Sequence, residues 1–110
     1  MPQTSAPDAP LSPQVFQILL ALSDGPMHGY AIIQDVTRRT DGEIRLTPST
    51  LYDALARLVD QRWIEETASD GPRRRTYALT LRGRDAMTRE AQRLARLIAA
   101  ARAKNVFQDS

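Results

Sequence analysis

The last stretch of the sequence restricts the fold most. From Leu81 to Lys104 an apolar seam runs through Met87, Ala91, Leu94, Ile98 and Ala101 at spacings of 4, 3, 4 and 3, with Leu97 beside it. That is the heptad spacing of a helix packed along another helix. Thr80 stands where an N-cap belongs. At about 1.5 Å per residue the helix is roughly 36 Å long. The residues before it cannot build a core that covers such a length. Part of the seam is therefore expected to meet a second copy of the chain, with Leu94 and Ile98 facing apolar residues of the partner, parts of its first helix included.

Three shorter helices and a hairpin precede that seam. Ser12-Pro13 reads as an N-cap followed by proline at the first helical position. Val15, Ile18, Leu19 and Leu22 then mark one helical face until Gly25-Pro26 ends it. A second helix starts near His28-Gly29, has Ile32, Ile33 and Val36 on its apolar side, and closes at Thr40-Asp41-Gly42. Residues 43–46 alternate and are expected to form a small strand. Thr47-Pro48 repeats the cap-plus-proline signal, and Leu51, Ala54, Leu55 and Leu58 give a third stripe, widened by Tyr52 and Val59. Residues 63–68 and 74–79 are extended runs on either side of the turn Ser69-Asp70-Gly71-Pro72, which makes a hairpin.

Three helices, a hairpin and a long last helix follow the order of a winged helix-turn-helix, a mainly α (α+β) fold. The expected divisions are a disordered tail at residues 1–10, a winged helix-turn-helix DNA-binding domain at 11–80, a dimerisation helix at 81–104 and a flexible end at 105–110. In such folds the third helix carries its N-terminal residues toward base edges in the major groove. Its non-core face here holds Ser49, Thr50, Asp53, Arg57 and Asp60, with Thr47 at the cap. Two readings stay open for this face: a DNA-reading surface, or a solvated face with an internal Asp53–Arg57 pair at i,i+4.

Charge is unevenly distributed along the chain. Residues 1–70 carry five arginines against ten acids, whereas residues 71–104 carry nine arginines and one lysine against two acids. The positive excess begins at the hairpin, where Arg73 and Arg74 sit at or beside the tip, suited to phosphate or the minor groove. Arg75 is in phase with Tyr77 and Leu79 and is expected to pair with Glu65 or Glu66 across the hairpin.

Three stretches resemble the PadR family of bacterial transcriptional regulators: Gly25-Pro26-Met27-His28-Gly29-Tyr30 at the entry to the second helix; Pro48-Ser49-Thr50-Leu51-Tyr52, with Ala54-Leu55 and Arg57-Leu58, in the third; and Arg74 to Tyr77 with Leu79-Thr80 and Gly83 in the wing and the start of the last helix. The resemblance spans residues 11–84 and the C-terminal part resembles the family's short branch. It implies a dimeric repressor on an inverted repeat of double-stranded DNA, released in many members by a small-molecule effector. It places His28 and Tyr30 at a helix N-terminus that can meet phosphate. Packing against the first helix is the other reading for Tyr30. Asp53 stands where members often carry proline. Tyr52 is expected to bury its ring and leave its hydroxyl near phosphate, and Trp63 is expected in the core.

Other functions find little support. His28 is the only histidine and there is no cysteine, so no metal site or cofactor is expected. No glycine-rich phosphate loop, nucleophile elbow or second histidine suggests an enzyme. No apolar run approaches a membrane span, residues 1–10 are unlike a secretory signal, and the lack of cysteine suits a reducing cytoplasm. The rival functions are a ligand-sensing module, binding between subunits, and a protein-interaction winged helix without DNA binding, the latter favoured by Asp53 and Asp60.

Overall fold

A computed structural model describes residues 10–69 and 75–107. The expected tail up to residue 9, the turn at residues 70–72, Arg73, Arg74 and residues 108–110 lie outside the described residues. The elements are α1 (Pro13–Leu22), β1 (Met27–His28), α2 (Gly29–Arg39), α3 (Pro48–Asp60), β2 (Ile64–Ser69), β3 (Arg75–Leu79) and α4 (Leu81–Ala103).

Each helix starts on a residue in extended conformation whose side chain accepts a backbone N–H that the helix cannot satisfy itself. Ser12 Oγ accepts from Val15 at 3.1 Å, His28 Nδ1 from Ala31 at 3.4 Å, Thr47 Oγ1 from Thr50 at 3.1 Å and Thr80 Oγ1 from Gly83 at 3.0 Å. Three helices stop on a left-handed residue that is not glycine: Asp41 (φ 53°), Arg62 (φ 64°) and Asn105 (φ 59°). In each case the next N–H reaches back across the last turn, Gly42 to Thr37, Trp63 to Leu58 and Val106 to Ala101. This is the Schellman closure, which satisfies otherwise orphaned carbonyls.

The apolar stripes converge on one core. Ile18, Leu19 and Leu22 of α1, Ile32 and Val36 of α2, and Leu51, Leu55 and Leu58 of α3 are buried together with Ile64, Tyr77 and Met87. The sheet has the order β1-β3-β2 and is antiparallel throughout. Ile64 pairs with Leu79 and Glu66 with Tyr77, and the register shifts between Glu66 and Ser69.

The third strand corrects the sequence reading. Residues 43–46 form no strand. Thr40 Oγ1 accepts the Ile44 N–H at 3.1 Å, and Arg45 Nε donates to the Gly42 carbonyl at 3.2 Å. These local bonds fold the segment back on the end of α2 and take up groups that a ladder would use. The strand lies instead at Met27–His28, paired with Tyr77 and Thr76. A two-residue strand behind a proline is too short to show alternation.

Two contacts set α4 against the rest. The Thr80 N–H donates to the Trp63 carbonyl at 3.0 Å, and Thr80 Oγ1 to the Arg62 carbonyl at 2.6 Å. The first turn of α4 comes so close that a Cβ on Gly83 would lie 1.9 Å from the Trp63 carbonyl oxygen. Only glycine fits this approach. The second contact is Glu90, a carboxylate only 5% exposed. It accepts from the Leu11 N–H at 3.3 Å and from Arg93 Nε at 3.0 Å and Nη2 at 2.6 Å. The Arg93 hydrogen bonds hold its carboxyl below the ordinary carboxylate range against the opposing effect of burial, with help from Leu11. Glu90 thereby fastens the chain entering α1 to α4. The signal for this contact in the sequence is Arg93, three residues on.

Candidate nucleic-acid interface

The apolar residues of α3 decide which of its residues face outward. Leu51, Leu55 and Leu58 are buried. At 100° per residue, the line diametrically opposite them is Ser49, Asp53, Ala56 and Asp60, and all four are exposed. Thr50 and Arg57 flank the line on one side and Tyr52 on the other, all exposed. Thr47 holds the N-terminal end. Its Oγ1 accepts the Thr50 N–H and donates to Thr50 Oγ1 at 2.9 Å, which leaves the Thr50 hydroxyl proton free for an outside acceptor.

The Asp53–Arg57 pair of the solvated-face reading does not form: neither side chain has a hydrogen bond or ion pair among the described residues. The same spacing does close elsewhere, in Asp35–Arg39 at 2.8 Å and Asp85–Arg89 at 2.9 Å. Both charges on α3 therefore remain available to an external partner.

Tyr52 departs from expectation. Its ring is 46% exposed, because its position lies about 100° from the centre of the buried stripe. Its hydroxyl reaches the N-terminus of α2 and rests over Gly29, where a Cβ would fall 2.3 Å from the oxygen. Tyr30 is 65% exposed, which decides against packing on α1. The exposed His28 ring is directed to its own helix as a cap, with its other nitrogen free of any bond among the described residues. Thus His28, Tyr30 and Tyr52 gather at one helix start, beside the exposed face of α3.

The wing is described only along its strands. Arg75 is exposed and pairs with Glu66 at 3.6 Å, the second of the two partners anticipated. Burial and the Glu66 carboxylate push the Tyr77 hydroxyl up, and Arg75 opposes them. The Arg75 guanidinium is thus committed to its own sheet. Trp63 lies in the turn before β2, half-buried and packed on the edge of the core. It also walls a cleft of about 190 Å³ lined by Leu11, Val15, Ala54, Arg57, Leu58 and Gln61.

Along α4, the first seam residue, Met87, is buried in the core of its own chain. Beyond Glu90 no residue of this helix is buried. Ala91 is exposed and Leu94 and Ala101 are half-exposed, while Leu97 and Ile98 are 52% and 44% exposed. Phe107 folds back at the helix end, its ring 5.1 Å from the Arg102 guanidinium. Among the described residues no group of three or more His, Asp or Glu could hold a metal ion, and no helix is long and apolar enough to cross a membrane.

A helical pair, α2 and α3, followed by an antiparallel hairpin packed on the same core, defines a winged helix-turn-helix protein with a long C-terminal helix. Residues 18–89 match the family model of the transcriptional regulator PadR-like family. The chain belongs to that family of DNA-binding regulators. It is 44% identical over 80 residues to an uncharacterised 37.1 kDa protein in a transposon of Streptomyces fradiae. That match takes in 73% of this chain but 22% of the relative, so the chain spans about a fifth of the length of that curated protein. A transcriptional regulator from Clostridium thermocellum is similar in structure, with 27% identity and a TM-score of 0.65 over 86% of this chain and 92% of that one. A PadR family transcription regulator from Clostridium difficile is 26% identical with a TM-score of 0.67, over 81% and 94% of the two chains.

Proposed function

We propose that this chain is a cytoplasmic, dimeric transcriptional repressor, a binding protein and not an enzyme, that recognises an inverted repeat in double-stranded DNA. The observation that carries the reading is the outward face of α3, where Ser49, Thr50, Asp53 and Arg57 are exposed and neither charge is spent among the described residues. Thr47, His28, Tyr30 and Tyr52 border that face and are assigned to the phosphates beside it. Arg73 and Arg74 are assigned to the backbone or minor groove from their place in the sequence. Arg75 acts by holding the wing strand.

The half-exposed seam of α4 supports a two-fold dimer through Leu94, Leu97, Ile98 and Ala101, with Ala91 at its near end. A two-fold axis places two α3 helices on half-sites about 34 Å apart or a multiple of that. The test combines sedimentation with a binding titration on the DNA upstream of the protein's own reading frame. The wild type is expected to sediment as a dimer and bind with strong salt dependence. Leu94→Arg should lose dimers and specific binding together. A monomeric wild type that binds the duplex tightly overturns the dimeric mechanism, and absence of binding overturns the DNA reading.

The cleft beside Trp63 supports release by a small effector, because Arg57 lines it and is also exposed beside the outer line of α3. Trp63 is the only tryptophan, so its fluorescence reports occupancy directly. An effector that dissociates the DNA complex without changing that emission acts elsewhere.

A further inference from the structure

The inference concerns Asp53 and rests on the DNA-binding reading above. A carboxylate on a face that approaches phosphates opposes binding wherever it finds no donor. Two features of Asp53 resolve this tension. It lies on the outermost line of α3, with Ser49 one turn before it, opposite the buried Leu51, Leu55 and Leu58. This line enters a groove deepest, and the N-terminal part of such a helix is the part that reaches base edges. Among the described residues Asp53 is also unpaired although Arg57 stands four residues on, in a protein where Asp35–Arg39 and Asp85–Arg89 do pair. Its charge is left uncompensated at the point of closest approach.

We propose that Asp53 is a specificity-determining residue that accepts a hydrogen bond from the exocyclic amino group of cytosine in the major groove. A carboxylate can only accept. The major groove offers it two base donors, N4 of cytosine and N6 of adenine. Beside adenine N6 stands N7, an acceptor whose lone pair repels a carboxylate, so cytosine is the base selected. Guanine and thymine present acceptors at the corresponding edge and are rejected. Asp60 shares the line but lies seven residues further along, roughly 10 Å toward the C-terminal end, and is outside this contact. The carboxylate also weakens binding to sequences without the cytosine, which raises the ratio of specific to non-specific affinity.

The test is selection of duplexes from a randomised pool by the full-length wild type, Asp53→Asn and Asp53→Ala, read by sequencing, with circular dichroism to verify that both variants fold. The wild type should enrich cytosine at one position of each half-site. Against the other bases the preference should be roughly tenfold, a typical cost for one mismatched pair. Asp53→Asn, which has both a donor and an acceptor, should move the preference at that position to adenine. Asp53→Ala should leave it degenerate, and the remaining positions should not change. The same base at that position for all three proteins, or adenine for the wild type, overturns the assignment while leaving DNA binding intact. Failure of the wild type to enrich any sequence overturns both this assignment and the reading beneath it.

Discussion

Gly83→Ala sets two effects of opposite sign against each other. Gly83 is the third residue of α4, and helix propensity alone predicts that alanine there stabilises by about 1 kcal/mol. The tertiary contact predicts the reverse. The new Cβ would lie 1.9 Å from the Trp63 carbonyl oxygen, about 1.4 Å inside even a close C–H···O contact of roughly 3.3 Å. The obstacle is backbone, which no rotamer change can move. The start of α4 must withdraw, and it is held by the Thr80 N–H on the Trp63 carbonyl and the Thr80 hydroxyl on the Arg62 carbonyl. Losing those two bonds costs about 1 kcal/mol each, and disturbing the Thr80 cap costs about 1 kcal/mol more. The net is a destabilisation of about 2 kcal/mol, or a fall in Tm of roughly 8 °C for a chain of this size. Urea and thermal unfolding should be compared at matched chain concentration, since self-association would shift both midpoints. A midpoint at or above that of the wild type refutes the reasoning: the propensity term would then decide, and α4 would be free to move off the Arg62–Trp63 turn.

Other perturbations probe different parts of the molecule. Arg62→Gly relieves a side chain held at φ 64° and should stabilise by about 1 kcal/mol, measured as a rise in the urea midpoint with unchanged slope. Glu90 has a folded-state pKa below its unfolded value of about 4.5, so its contribution is complete above that pH and fades as pH falls toward the folded value. The urea midpoint of the wild type should therefore drop more steeply below pH 4.5 than that of Glu90→Gln, and parallel profiles would remove Glu90 from the acid transition. Gly29→Ala displaces only the far end of Tyr52. It should leave the thermal midpoint nearly unchanged and weaken operator binding severalfold in a titration, whereas a large loss of stability would show that Tyr52 is fixed more firmly than the contact implies.

How much could be read beforehand follows from the range of each signal. The caps Ser12, Thr47 and Thr80 and the stripe of α3 depend on neighbours within four residues, so their positions were evident from local chemistry. The strand expected at residues 43–46 was misplaced because alternation over four residues is also met by a turn, and Thr40 supplies the bonds that make it one. Met27–His28 becomes a strand only because Tyr77 and Thr76 arrive beside it, and no local pattern carries that information.

The candidate site divides along the same line. Spacing placed Ser49, Thr50, Asp53 and Arg57 on the outer side of a helix, yet it left open an Asp53–Arg57 pair that the structure does not make. It put the Tyr52 ring in the core, whereas the contact with Gly29 holds it half-outside. The sequence by itself determined which segments are helical, where they begin and which faces are apolar, since propensity, capping and periodicity act between residues close along the chain. Only the tertiary structure decided that Glu90 is buried against Leu11, that Gly83 lies under Trp63, and that Arg75 pairs with Glu66 and not with Glu65. Those outcomes depend on distances between remote segments, which are set when all the apolar faces are buried at once.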